Sequence, residues 1–270
     1  MKLFVPRADN HSLVEAVFGF VFEKHWAPEQ FLALKQNHDV WKEHLPRSND
    51  VQQHQVTFGP TGILIPQFVP ASGVIFDRVK PDGTIALRLS FENNTVFFNC
   101  LTYTRWADIW PLAQDVLSKS LSVVASVGGS QAPLIAREII YQTIDVFGWH
   151  GGKDQYDVSE LLNVDGEYVP RRLLGGGSAW HLYQGWFEKW NNLDAGALLN
   201  RIHFDAVNEP TIEVRMDSTL ALRLENGIRV LNGDGSLGDA CIVFDKLHES
   251  NKSILKKFLS QAMIKKINLG

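Results

Sequence analysis

The stretch LVEAVFGFVF (residues 13–22) alternates Val14, Ala16, Phe18, Phe20 and Phe22 on one side with Glu15, Val17, Gly19 and Val21 on the other. A period of two is a strand signal, and apolar residues on both sides predict an inner strand covered on both faces. Glu15 is the exception. An unpaired buried carboxylate is costly, so Glu15 is expected to be paired, with Arg137 as its partner.

Elements of two kinds follow. After Pro28, the residues Phe31, Leu34, Trp41 and Leu45 recur at helical spacing until Pro46. Residues 51–58, 73–80, 84–91 and 95–101 read as strands, with hairpin turns at Pro81-Asp82-Gly83 and Glu92-Asn93-Asn94. Thr104 is expected to cap a helix striped by Trp106, Ile109, Trp110, Ala113, Leu117, Leu121 and Val124 and closed by Gly128-Gly129. The order then begins again, with a long strand at 134–147 and a loop-rich stretch from Gly148 to Gly177. Strands at 178–188, 200–207 and 211–225 and a helix from Asp245 to Ile267 complete it. Strands closed by a long helix thus occur twice. The expected class is α+β with two related halves, residues 1–130 and 131–270, each an antiparallel sheet with a helix packed across it.

The composition excludes several classes. With 45% hydrophobic and 21% charged residues the chain is globular rather than disordered, and its longest apolar runs fall far short of a membrane span. The N-terminal MKLFVPRADNHS carries no apolar segment ending in a small-residue cleavage site, and a cytoplasmic protein is expected. Cys100 and Cys241 have no metal-type spacing, which predicts neither zinc nor a disulfide framework. A formal charge of −4 gives no general drive toward nucleic acid. Residues 245–266 are the local exception, where six lysines face Asp245 and Glu249. That segment carries +4, leaves −8 elsewhere, and reads as a solvated helix face.

Four pieces together resemble a widespread bacterial family of uncharacterised proteins of about this length, recognised by an N-terminal VEAVFE-like strand. They are Leu13-Val14-Glu15-Ala16-Val17-Phe18, Tyr103-Thr104-Arg105-Trp106, the strand holding Arg137 and Tyr141, and Leu247-His248-Glu249 with Phe258. The chain departs from that pattern at Gly19, and again where Ile139-Ile140-Tyr141-Gln142-Thr143-Ile144 replaces a Gly-Leu-Arg-Tyr-Ile-Asn-like run. The resemblance implies no reaction and no cofactor. It implies a partner protein, with a neighbouring gene as its expected source.

The chemistry-bearing residues form no familiar motif. The glycine runs at 126–133 and 173–180 lack phosphate-loop endings and read as turns. His203 and Asp205 share one face of a strand, and Asp245 and His248 one face of a helix, without a third metal ligand; Asp245 reads as an N-cap. The aromatic segment 148–190 is the candidate binding region, through Trp149, His150, Arg171, Arg172, Trp180 and Trp186. If 178–188 is a strand, Trp180, Leu182 and Trp186 share one face and His181, Tyr183 and Phe187 the other. If it is a helix, Tyr183, Phe187 and Trp190 align. The favoured function is a non-catalytic binding protein that engages a partner protein through this second half. The alternatives are a hydrolase or nuclease built from second-half loops, and a small-ligand binder with a cavity between sheet and helix.

Overall fold

The computed structural model describes residues 3–8, 11–51, 54–58, 64–68, 72–127, 133–191, 196–207 and 210–269. In chain order the elements are β1 (Phe4–Pro6), β2 (Leu13–Phe22), α1 (Pro28–Gln36), β3 (Arg47–Val51), β4 (His54–Phe58) and β5 (Leu64–Phe68). Then come β6 (Gly73–Val79), β7 (Ile85–Glu92), β8 (Thr95–Cys100), α2 (Trp106–Ser126), β9 (Ile135–Trp149), β10 (Trp180–Trp190), β11 (Gly196–Val207) and β12 (Glu213–Arg229). Helices α3 (Asp239–Phe258) and α4 (Gln261–Lys266) end the order. The class is α+β, with a large antiparallel sheet and few helices.

The chain forms two compact units that interleave along the sequence. One comprises Met1–Val17, Ile140–Glu225 and Ile242–Gly270; the other comprises Phe18–Ile139 and Asn226–Cys241. In the second of these, the meander runs in the order β8-β7-β6-β3. Its turns use the chemistry read from the sequence. Gly83 has a positive φ of 84° beside Asp82, whose carboxylate accepts from the Thr84 amide at 2.9 Å, and Asn93 sits at φ 51°. The expected strand 51–58 is two strands, β3 and β4, with residues 52–53 outside the described residues, as is Gly128-Gly129.

Aromatic packing fills this unit. Phe18 stacks on Trp110 at 5.1 Å, and Trp41 meets Phe76 edge-on at 5.3 Å. Trp26 lies 5.6 Å from Phe91 and donates its indole N–H to the Thr95 carbonyl at 2.8 Å. The departure at Gly19 has a local cause: a Cβ there would overlap the ring of Phe97. Arg137 forms a 3.2 Å ion pair with Glu23 in the same unit, while Glu15 is half-buried in the other unit.

That other unit holds β10 and β11 with residues 213–225 of β12, 140–149 of β9 and 13–17 of β2, in the strand order β10-β11-β12-β9-β2, with β1 on β9. Helix α3 covers one sheet face. Phe258 packs 5.6 Å from Phe204, and Asn251 accepts from the Ser218 hydroxyl at 2.5 Å while donating to Thr143 Oγ1 at 3.1 Å. Ser218, Thr143 and Asn251 are all buried, so the helix is registered on β12 and β9 by hydrogen bonds as well as by apolar contact.

The terminal helix differs from its expected span. Helix α3 begins at Asp239, and Asp245 lies inside it rather than at its N-cap. The helical path ends at Phe258 because the segment 160–163 captures it. Leu259 bridges Leu162, the Asn163 amide donates to the Phe258 carbonyl at 2.8 Å, and the Ser260 amide donates to the Leu161 carbonyl at 2.8 Å. The Ser260 hydroxyl then caps α4 by accepting from the Met263 amide at 3.2 Å. Apolar spacing continues through the break, which is why periodicity alone extends the helix across it.

Asp145 is 2% exposed on β9; it accepts from the Ser12 hydroxyl at 2.6 Å, and its other oxygen has no hydrogen bond among the described residues. Burial pushes its carboxyl up to about 6. A raised carboxyl favours the neutral form in the folded state, so its contribution is most favourable below about pH 4 and is lost as pH rises through 6. A shift of that size corresponds to about 3 kcal/mol at most. Asp145→Asn is therefore expected to raise unfolding free energy at pH 8 by about 1–3 kcal/mol, with the gain vanishing toward pH 4. Denaturation across that range checks it, and a pH-independent difference would count against it. Asn251→Ala strands the Ser218 and Thr143 hydroxyls and is expected to cost about 2–4 kcal/mol in the same measurement.

Candidate functional site

The segment read as the binding region divides into a covered side and an open one, and β10 separates them. Residues 180–190 pair with 206–196 of β11 through eleven consecutive positions, which settles strand over helix. β11 in turn pairs with β12 through twelve positions, Gly196 with Leu224 to Val207 with Glu213. Side chains alternate accordingly.

The even-numbered side of β10 is packed. The Trp180 indole N–H donates to the Tyr156 hydroxyl at 2.9 Å, and burial pushes the Tyr156 phenol up to about 12. Gln184 donates to the Tyr168 carbonyl at 2.6 Å, and Tyr168 lies between Trp186 and Phe258 at 5.8 and 5.4 Å. Trp149 is buried, edge-on to Phe4 at 5.0 Å, with its N–H on the Gly152 carbonyl. Of the six expected binding residues, Trp149 is thus a core residue and Trp180 and Trp186 are half-buried against the loop. His150, Arg171 and Arg172 are exposed.

The odd-numbered side faces solvent. Tyr183 is 60% exposed and Phe187 67% exposed, with the exposed Gly185 between them. On this face Tyr183 lies beside His203, ring centroids 5.8 Å apart, and Asp217 stands across from His203 on β12. His203 Nε2 meets Asp205 at 3.3 Å, as a two-residue spacing on a strand allows. Both oxygens of Asp217 accept from Gln142 at 2.9 Å, and Arg201, level with Gly185, donates to Thr219 Oγ1 at 3.1 Å. These polar groups are laid flat and engage one another across the strands. Strand spacing puts Tyr183 and Phe187 on one face, but their exposure depends on which face the 156–173 loop covers.

At the end of β10 a cleft of about 650 Å³ lies between Glu188 and Trp190 and the α3 residues Ile242, Lys246, Glu249 and Ile254. The Lys246 ammonium sits 6.0 Å from the Trp190 ring centroid. His248, on a neighbouring turn of α3, is edge-on to Tyr141, and burial pulls its imidazole down to about 4, so it is neutral near pH 7. It lies in mid-helix rather than at a helix start. Among the described residues no group of three His, Cys, Asp or Glu side chains is placed to hold a metal ion. No helix among them is long and apolar enough to cross a membrane.

No protein-family model matches the chain, and no curated protein does. Among solved structures, the di-domain ARO/CYC BexL from the BE-7585A biosynthetic pathway is similar at 11% identity, covering 89% of this chain and 95% of that one. The TM-score is 0.19, too low to carry a fold or a function across.

Proposed function

We propose that this chain is a non-catalytic cytoplasmic binding protein that engages a partner protein through its second half, residues 131–270. The observation that carries the reading is the outward pair Tyr183 and Phe187 on a strand that, among the described residues, has a hydrogen-bonded neighbour on one side only. A long edge strand bearing large exposed rings is a template for association unless something covers it. Aromatic residues next to arginine are also the composition of energetic centres in protein interfaces. Arg201 fits that role, held in place by Thr219 beside the gap at Gly185. The two-halves reading fits the same picture, with a long helix in each half, α2 and α3.

The cleft between β10 and α3 supports a second reading, a small-ligand site between sheet and helix.

Tagged protein isolated from its native host under gentle cross-linking is expected to carry a protein partner in stoichiometric amount. The double change Tyr183→Ser and Phe187→Ser is expected to reduce that recovery at least about tenfold while leaving the circular dichroism spectrum unchanged. Recovery of the wild-type chain as a monomer with nothing bound would contradict the proposal. Recovery of a small molecule that is lost on Trp190→Ala would favour the second reading.

A further inference from the structure

We infer that the partner met by β10 is a second copy of this chain, through antiparallel pairing of the two β10 strands about a twofold axis at Gly185. This rests on the binding reading above and names its partner. The strand WHLYQGWFEKW (residues 180–190) matches in type at three of the five residue pairs about its central Gly185, while Leu182/Glu188 and Gln184/Trp186 do not match. Outward from Gly185 it places Tyr183 against Phe187 in type, His181 against Lys189, and Trp180 against Trp190. In an isologous interface residue i meets j while j meets i, so Tyr183 of each copy would meet Phe187 of the other.

The geometry selects one register. A twofold axis normal to the sheet keeps the faces, so odd-numbered residues must meet odd-numbered ones. Centring on Gly185 pairs all eleven residues and sets Tyr183 opposite Phe187 of the second copy twice over. Cross-strand pairs of this kind have Cβ atoms about 5 Å apart. Centring one residue to either side sets one of the rings opposite glycine and the other opposite His181 or Lys189. Formal charge does not oppose the central register. The two formally charged residues of the strand, Glu188 and Lys189, fall opposite Leu182 and His181, and the lysine lies diagonal to the Tyr183 ring, where a cation is favoured. No like charges meet among the acids and lysines.

Two further observations fit this occupant. β10 contains no proline, and its register with β11 is unbroken, so it lacks two common devices that protect an edge. Gly185 is also not demanded by the fold. It is absent from the positive-φ residues, and a Cβ there would lie 3.5 Å from the Asn200 carbonyl, an ordinary contact. Eleven paired residues make a seam about 37 Å long and about 10 Å deep, or on the order of 700 Å² in total. That is below the roughly 1,000 Å² of a stable specific interface, so the dimer is expected to be weak and to form only at high concentration.

Sedimentation of the full chain from about 1 to 300 μM tests this, with monomer giving way to dimer across the range. Phe187→Lys is expected to weaken the dimer at least about tenfold without loss of secondary structure, because the ring is exposed. In a Cys241→Ser background, Gly185→Cys is expected to form a disulfide-linked dimer on mild oxidation. Tyr183→Cys is the control, since the two copies of residue 183 would stand about 13 Å apart, beyond disulfide reach. A monomer at every concentration, a dimer indifferent to Phe187→Lys, or cross-linking of the control as fast as Gly185→Cys would each overturn the inference. If the chain stays monomeric while the Tyr183/Phe187 double variant loses a different protein from the native host, the homotypic inference falls and the binding reading stands.

Discussion

The unit built on β10, β11 and β12 depends on a single constraint, the continuous antiparallel register of those three strands. Side chains alternate with a period of two, so a slip of one residue would carry every group to the opposite face. Tyr183 and Phe187 would turn in toward the loop, and Trp180, Leu182 and Trp186 out to water. The twelve pairs between β11 and β12 and the eleven between β10 and β11 leave no bulge at which that slip could be absorbed. The hydrogen bonds that fix α3 to β12 and β9 then close the inner face.

The interior of this unit is more polar than its apolar strand patterns imply. Asn251 links β12 to β9 from the helix, and Asn200, fully buried, has neither amide atom hydrogen-bonded among the described residues. Asp145 adds a carboxyl that burial drives toward its neutral form. The Asn251 bonds contribute little net stability, but they penalise any other placement of the helix over the sheet. A satisfied buried pair is worth only about 1 kcal/mol, whereas a stranded one costs about 1–3 kcal/mol. Specificity of packing, rather than depth of stability, is what they supply.

Local rules made much of the architecture legible. The alternation of residues 13–22 marks β2 at its full length, and the Asp-Gly and Asn-Asn turns mark the hairpins of the meander. Spacing alone places His203 and Asp205 on one face, and His203 Nε2 lies 3.3 Å from the Asp205 carboxylate. What was not legible depends on partners distant in sequence. The 178–188 aromatics fit a strand or a helix until β11 supplies a ladder, and neither pattern says which face the 156–173 loop will cover. The terminal helix is interrupted by residues 160–163, about a hundred positions upstream, so no local signal predicts the break. Gly19 had no visible reason in the sequence until β8 placed the ring of Phe97 against it.

An open β10 edge has a direct signature in amide hydrogen exchange along residues 180–190. In dilute solution, amides that donate to β11 are expected to exchange slowly and those directed to the free edge quickly, giving an alternating pattern. Raising the concentration is expected to protect the fast set and erase the alternation. Uniform protection of 180–190 in the dilute monomer would show that the edge is already covered within the chain, and would contradict the account.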